Sequence, residues 1–277
     1  MKKRKNVTMQ DVQRWIAQGL GQGEGSLYRP FFYVRDVPSR GRSRMVLGLK
    51  TGRVHHYLSD LEYACHLLAE YEPSVAGIRE QFALLEWEET QEIADRFGIR
   101  HPIYPGTATP TVMTSDLVLS LVKEKRPSVA VVCVKPFSQV DPVNPKNSRT
   151  REKLFIEKVY WEKRGIPWQL LTEKEIPLVR AQNLDRLRVH MVAAELNWLD
   201  DHMESFLEEF NSSWGNDSSF LTILSRVAGR TGLSKDECSY LFGRAVWLRL
   251  LDVDLDARVI HHDMPVPRAQ RREAHFV

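Results

Sequence analysis

The chain has 277 residues, of which 43% are hydrophobic and 27% charged, and its formal net charge is +3. This composition excludes a fibrous or disordered protein, and no apolar run reaches the ~20 residues that a membrane-crossing helix needs. The length suits two ordinary domains, and three widely spaced cysteines without a Cys-x-x-Cys pair exclude a disulfide framework or a cysteine-based zinc site.

Charge is distributed unevenly along the chain. Residues 1–53 hold 12 Lys or Arg against 3 acids, whereas residues 54–99 hold 2 against 10. A basic segment with interleaved aromatic residues attracts phosphates, which favours nucleic acid as a partner; a solvated basic arm is the alternative. The basic start at 1–5 runs into polar sequence and not into the apolar core of a signal peptide, so we expect a cytoplasmic protein with no membrane contact.

The first 58 residues predict a basic arm followed by loops and short strands. The glycine-rich segment 21–25 is expected to be flexible backbone or backbone pressed close to a partner, since no apolar strand leads into it and its spacing is not that of a dinucleotide fingerprint. A helix is predicted from Ser59, because Glu62 follows three residues later in the capping-box pattern, and Pro73 ends it.

The middle of the chain predicts a mixed sheet. Residues 114–122 alternate as a strand does, with Asp116 near the start, and 129–134 form the continuous apolar run of a central strand. After a loop at 136–148, residues 151–164 predict a helix and 166–172 another strand. This order predicts an α/β domain over residues 1–172 whose mixed sheet is flanked by helices.

From Glu173 the pattern becomes helical, and we predict a second, smaller α domain over residues 173–277. Apolar residues between 184 and 198 recur at steps of three and four, as in one long amphipathic helix. Helices are also predicted at 220–228 and 234–248, the second with a capping box at Ser234 and Glu237, followed by a strand pair at 250–260. Helix, turn, helix, hairpin is typical of a winged helix, which contacts either DNA or protein.

Four positions carry the elements of a phosphodiesterase site. Magnesium needs hard oxygen ligands, and Glu62, Asp116 and the Val134 carbonyl supply them, with Lys135 beside them to position a water and offset charge. Each residue also has a plain structural explanation. Glu62 fits a capping partner of Ser59, Asp116 a turn aspartate at a strand start, and Lys135 the exposed end of a buried strand.

Segments spread over residues 10–180 closely resemble the TnsA family, the transposon-end endonucleases of heteromeric bacterial transposases. The most distinctive is Lys-Thr-Gly-Arg-Val-His-His at 50–56. The other matching segments are 21–23 with Tyr28, 37–39, 41–43, 58–62, 78–82, 115–116, 134–136, 166–168 and 172–176.

The resemblance implies a restriction-endonuclease-like core with Glu62, Asp116 and Lys135 as the catalytic residues. It implies Mg²⁺, or alternatively Mn²⁺, as one or two ions held by Glu62, Asp116 and the Val134 carbonyl, with Glu157 as a further acid near the metal. The position two before the lysine is usually acidic in this class of nucleases. Here it is Cys133, a poor magnesium ligand that we expect to fill space.

Basic residues within or beside the matched block are predicted to face DNA, although the paired histidines also fit a structural role. These candidate DNA contacts are Arg42, Lys50, Arg53, His55 and His56.

The resemblance predicts a bacterial transposase subunit that cleaves the 5′ strand at transposon ends during cut-and-paste transposition. It implies an integrase-like transposase that processes the 3′ ends and an AAA+ ATPase regulator as partners, with the second domain docking the ATPase or touching DNA. Two alternatives remain from the sequence: a stand-alone restriction or repair endonuclease, and a non-catalytic DNA-binding adaptor.

Overall fold

The computed structural model describes residues 6–36, 42–123, 126–215 and 217–269, and gives the backbone alone for 123, 126, 127 and 194. The basic start at 1–5 and the segment 37–41 used in the sequence analysis lie outside the described residues. The chain divides into two compact units between Ile176 and Pro177. The sequence placed this division between residues 172 and 173; the backbone and side chain of Thr172 hydrogen-bond to Glu175, and this turn stays with the first unit.

The described part of the first unit contains six strands together with several helices. The strands are β1 (Arg44–Leu47), β2 (Val54–Tyr57), β3 (Val75–Ala83), β4 (Thr114–Lys123), β5 (Arg126–Val134) and β6 (Trp168–Leu171). The helices are α1 (Met9–Ala17), α2 (Asp60–Tyr71), α3 (Trp87–Arg96), α4 (Phe137–Val140) and α5 (Ser148–Glu162), with 3-10 turns at Gly25–Leu27 and Pro145–Asn147.

The predicted mixed sheet is confirmed. Its strand order is β3-β4-β5-β6, with β4 antiparallel to both neighbours and β5 parallel to β6. The apolar run at 129–134 lies in β5, an internal strand as predicted. β1 and β2 form a separate antiparallel pair, which agrees with the short strands expected before residue 58.

Several elements of the first unit were missed, among them β3, α3 and α1. In β3 the charged and polar residues Arg79, Glu80 and Gln81 interrupt the apolar alternation, so the pattern did not predict a strand. α3 was also missed, although its buried Ile93 and Ala94 join Val118 and Ile156 in the core between helices and sheet.

α1 was missed as well, because residues 1–58 were interpreted as a basic arm, loops and short strands, although Met9, Val12, Trp15 and Ile16 recur at the three- and four-residue spacing of an amphipathic helix. Thr8 begins the helix with a capping box, in which its hydroxyl accepts from the Asp11 N–H and the Asp11 carboxylate accepts from the Thr8 N–H.

The glycine-rich segment after α1 is pressed against the sheet, whereas the sequence suggested flexible backbone or backbone pressed close to a partner. Gly21 has a φ of +76°, and a Cβ atom there would lie 2.5 Å from the Cβ of Ala83 in β3. No side chain other than hydrogen fits that approach without a shift of the neighbouring strand.

The second unit is helical. Its helices are α6 (Leu178–Val192), α7 (Met203–Ser213), α8 (Phe220–Thr231) and α9 (Lys235–Trp247), with a 3-10 helix at Ala194–His202. The helices predicted at 220–228 and 234–248 are confirmed, as is the capping box of Ser234 and Glu237. The single long helix through residue 198 is wrong, because Ala193 leaves the helical region with ψ +70° and a 3-10 helix follows.

The strand pair predicted at 250–260 is also wrong: within the described residues this segment contains no strand. Asn183 of α6 satisfies its backbone instead, since the amide donates to the carbonyls of Leu255 and Arg258 and accepts from the N–H of Ile260. The unit is therefore a helix-turn-helix without the predicted hairpin. No helix in the described part of the chain is long and apolar enough to span a membrane.

Candidate active site

Asp116, the third residue of β4, accepts three hydrogen bonds from the end of β5. Its Oδ2 atom lies 2.7 Å from the Val134 backbone nitrogen, 2.7 Å from Lys135 Nζ and 3.3 Å from Cys133 Sγ. The antiparallel register that pairs Leu117 with Val132 brings these residues together. Asp116 is 8% exposed, so these donors offset the loss of water around its carboxylate.

Lys135, directly after the end of β5, is the cation beside Asp116. Its Nζ contacts both Asp116 Oδ2 and, at 2.9 Å, the Val134 carbonyl oxygen, and its side chain is 29% exposed. Burial alone would lower the pKa of Lys135, but the Asp116 carboxylate beside it raises that pKa above the usual lysine value. Lys135 is therefore a persistent positive charge that still reaches solvent.

Glu62 is bonded both to the start of α2 and to strand β3. The Ser59 hydroxyl accepts from the Glu62 N–H and donates to Glu62 Oε1, so the residue does take part in capping α2. Its other carboxylate oxygen accepts from the Leu58 N–H at 3.0 Å and from Gln81 Nε2 at 3.1 Å. Burial, followed by the nearby charge of Asp116, raises the pKa of Glu62 to about 7.

Glu157, on α5, is a further buried carboxylate. It is 3% exposed and accepts from Trp168 Nε1 at 3.1 Å. Its pKa is also raised to about 7, first by burial and then by the charge of Asp116. Glu62 and Glu157 thus both lie within electrostatic reach of Asp116, and three carboxylates share one lysine.

This donor set fits a hard divalent cation. Carboxylate and carbonyl oxygens are the ligands that Mg²⁺ and Mn²⁺ prefer. Burial, and after it the charge of Asp116, raises the pKa of both Glu62 and Glu157, and a bound cation would favour their charged forms. Among the residues that the structure describes, no three His, Cys, Asp or Glu side chains are yet arranged as a metal-binding group. Lys135 Nζ instead contacts Asp116 Oδ2 and the Val134 carbonyl, two of the predicted ligand atoms.

Cys133 does more than fill space. Its side chain is buried with Val140 and Leu154, and the thiol points at Asp116. Burial raises the pKa of the thiol well above its usual range, so Cys133 contributes a neutral, weak donor to Asp116 and adds no further charge to the site.

The predicted DNA contacts fall into two groups. Arg42 is exposed and His56 is half-buried, so both have accessible surface. Lys50, Arg53 and His55 instead bind the protein itself. Lys50 Nζ donates to the carbonyl oxygens of Glu72 and Val75 near the C-terminal end of α2.

Arg53 and His55 belong to an interior ionic network around Glu80. Arg53 donates to both carboxylate oxygens of Glu80. Both ring nitrogens of His55 are occupied, one by Glu80 at 2.8 Å and one by Thr51 at 2.7 Å. The His55 side chain is fully buried, and it has no face to offer to DNA.

Sequence reasoning did not assign Glu80 or Gln81 any role. Both appeared only within the segment 78–82, which supported the resemblance. No local pattern signals their partners, since Arg53 and Glu62 lie far from them in sequence.

Two comparisons with known proteins identify the family of this chain. The family described as TnsA-like endonuclease N terminal matches residues 72–173, a region that contains Asp116, Lys135 and Glu157, while Glu62 precedes it. The chain is also 41% identical over 196 residues to the transposon Tn7 transposition protein TnsA of Escherichia coli, an alignment that covers 69% of this chain and 68% of that protein.

Proposed function

Because this chain belongs to the TnsA-like endonuclease family, we propose that it is the transposase subunit that hydrolyses the 5′ strand at each end of a DNA transposon. The observation that carries this proposal is the convergence of Glu62, Asp116 and Lys135 at one edge of the sheet, with Glu157 close to Asp116. The relative is named as a transposition protein, which supports a transposon end as the substrate.

We assign Mg²⁺ as the cofactor, with Mn²⁺ as the alternative and one or two ions per site. Glu62, Asp116 and the Val134 carbonyl would hold it, and Glu157 offers a further carboxylate. A bound divalent cation neutralises charge on the scissile phosphate and lowers the pKa of a water molecule. Cys133 is not a ligand in this proposal, because a neutral thiol suits magnesium poorly.

Lys135 acts as a charged hydrogen-bond donor. Since Asp116 raises its pKa, the ammonium keeps its proton at neutral pH and is not the base that activates water. Its exposed fraction allows Nζ to contact the phosphate oxygen as negative charge develops during attack. The water oxygen then bonds to phosphorus as the bond to the departing DNA oxygen breaks.

The partners in this proposal are an integrase-like transposase that processes the 3′ ends and an AAA+ ATPase regulator. The second unit is the candidate docking module. Two of its basic side chains are paired with acids inside the unit, Arg230 with Glu209 and Arg244 with Asp200. This pairing favours protein docking over phosphate contact as its main role.

The docking role makes a salt-dependence prediction. If the second unit binds phosphate, Lys235→Ala should reduce the salt slope of DNA affinity by about one per lost contact. An unchanged slope agrees with docking to protein alone.

The catalytic proposal is tested by the products of transposition in cells. Cutting both strands frees the element, so Asp116→Ala and Lys135→Ala should convert simple insertions into replicative cointegrates. Glu152→Ala is the control, because Glu152 lies on α5 with Glu157 but forms a surface ion pair with Arg149. Unchanged products from Asp116→Ala would contradict the assignment.

A further inference from the structure

Gln81 in β3 is a buried polar side chain to which the proposed chemistry gives no role. It is 3% exposed, and its Nε2 donates to Glu62 Oε2 at 3.1 Å. The other donors to this carboxylate, the Leu58 N–H and the Ser59 hydroxyl, come from the start of α2. Gln81 is thus the donor that ties Glu62 to the sheet carrying Asp116.

The backbone of Gln81 has a strained conformation, and its side chain contacts Glu62 from that conformation. Its φ is +48°, in the left-handed region that residues other than glycine rarely occupy. The residues on either side pair regularly with β4, so the departure is confined to the position across from Asp116.

The segment after α1 holds this local conformation in place. The Tyr28 hydroxyl donates to the Glu80 carbonyl at 3.0 Å, and the Phe31 N–H donates to the Gln81 carbonyl at 3.2 Å. Gly21 approaches β3 closely at Ala83. A strained backbone conformation persists only where surrounding contacts hold it, and such strain is concentrated at functional sites. Here the carbonyls of Glu80 and Gln81 are both held by hydrogen bonds from outside the sheet.

We propose that Gln81 is a positioning residue that holds the Glu62 carboxylate in the orientation that binds the divalent cation. The inference rests on the proposed role of Glu62 as a metal ligand. An amide suits the position because it donates to the carboxylate without adding a charge that would compete with the cation or repel Glu62. Hydrogen-bond partners of ligating groups typically change metal affinity by about 10–100-fold when they are removed.

The test is a titration of the full-length protein with Mn²⁺ alone, followed by calorimetry and by the paramagnetic resonance signal of the ion. Gln81→Met keeps the size of the side chain and the same backbone strain but removes the donor. We expect the Mn²⁺ dissociation constant to rise about 10–100-fold. The melting temperature of the metal-free protein should change little, and the cleavage rate should recover at saturating Mn²⁺.

Gln91→Met is the matched control, because the Gln91 amide also donates a hydrogen bond, at 3.2 Å to the Trp87 carbonyl, but does not contact Glu62. Its Mn²⁺ affinity should equal that of the unaltered chain. An unchanged affinity in Gln81→Met would overturn the positioning role. If Gln81→Met does not fold, Gln81→Asn tests the same point, because the shorter asparagine side chain does not reach Glu62. An unchanged Mn²⁺ affinity in Gln81→Asn would also overturn the positioning role.

Asp116→Asn separates failure of this inference from failure of the proposed function. Loss of Mn²⁺ binding in Asp116→Asn together with normal binding in Gln81→Met overturns the role of Gln81 alone. Normal binding in Asp116→Asn overturns the metal site itself, and the positioning role with it.

Discussion

Replacing Glu80 with Gln removes the charge at the centre of a fully buried ionic network. The carboxylate accepts hydrogen bonds from Arg53, from His55 and from the backbone N–H of His56. Burial by itself raises the pKa of Glu80, but these hydrogen bonds and the neighbouring charges more than offset it and hold the pKa at about 2. Relative to an unfolded value of ~4.3, this difference corresponds to ~3 kcal/mol of stability at neutral pH.

The depressed pKa fixes the direction of the pH dependence. The contribution of Glu80 is complete above a pH of ~4.3, the unfolded pKa, and is lost as the pH falls towards the folded value of about 2. Glu80→Gln also leaves Arg53 buried without its counter-charge, a change that typically costs ~3–5 kcal/mol. We therefore expect a loss of ~3 kcal/mol at pH 7 that shrinks as the pH approaches ~3.

Urea unfolding of the full chain, repeated in steps between neutral and acidic pH, measures this effect. Glu89→Gln is the control, since Glu89 also pairs with two cations, Lys163 and Arg164, but at the protein surface. That substitution should cost no more than ~1 kcal/mol. Equal losses for the two variants, or a Glu80→Gln loss that is the same at acidic and neutral pH, would refute the reasoning.

Three further substitutions test the packing and the backbone contacts of the fold. Gly21→Ala places a Cβ atom 2.5 Å from that of Ala83, so the free energy of unfolding, measured by thermal unfolding, should fall by ~1–3 kcal/mol. Ala83→Gly in the same chain should restore part of that stability. No rescue would contradict the close approach. Asn183→Ala removes three hydrogen bonds to the 250–260 segment. Hydrogen exchange of the backbone amides in this segment should accelerate, while α8 stays protected. Unchanged exchange would show that these hydrogen bonds do not hold the segment. Ser234→Ala should cost ~1 kcal/mol through loss of the α9 cap, and an unchanged urea midpoint would argue against that cap.

The elements that the sequence predicted correctly carry strong local signals. β5 is a run of apolar, β-branched residues, and α9 begins at a capping box that both partners complete. The elements it missed or misassigned depend on distant partners. The polar centre of β3 is buried because Arg53 neutralises Glu80. In the described residues the 250–260 segment forms an isolated antiparallel bridge from Val253 to Arg268, and Asn183 satisfies further backbone groups of the segment.

The same distinction applies to the candidate site. Adjacent antiparallel strands bring Asp116 to Lys135 and to the Val134 N–H, a proximity that two consecutive predicted strands favour. The capping contact of Glu62 with Ser59 was also visible, because the two residues stand three apart at the start of a helical pattern. The sequence did not predict the contact of the Gln81 amide with Glu62. The orientation of that amide depends on a left-handed backbone conformation, which the residue type does not indicate.

The most direct test of the central claim is strand-specific cleavage of transposon-end DNA labelled on each strand, with the purified protein and its partner proteins present. We expect a cut in the 5′ strand that disappears in Asp116→Asn, while the integrase-like transposase still cuts the 3′ strand. A 5′-strand cut of undiminished rate in Asp116→Asn would contradict the claim.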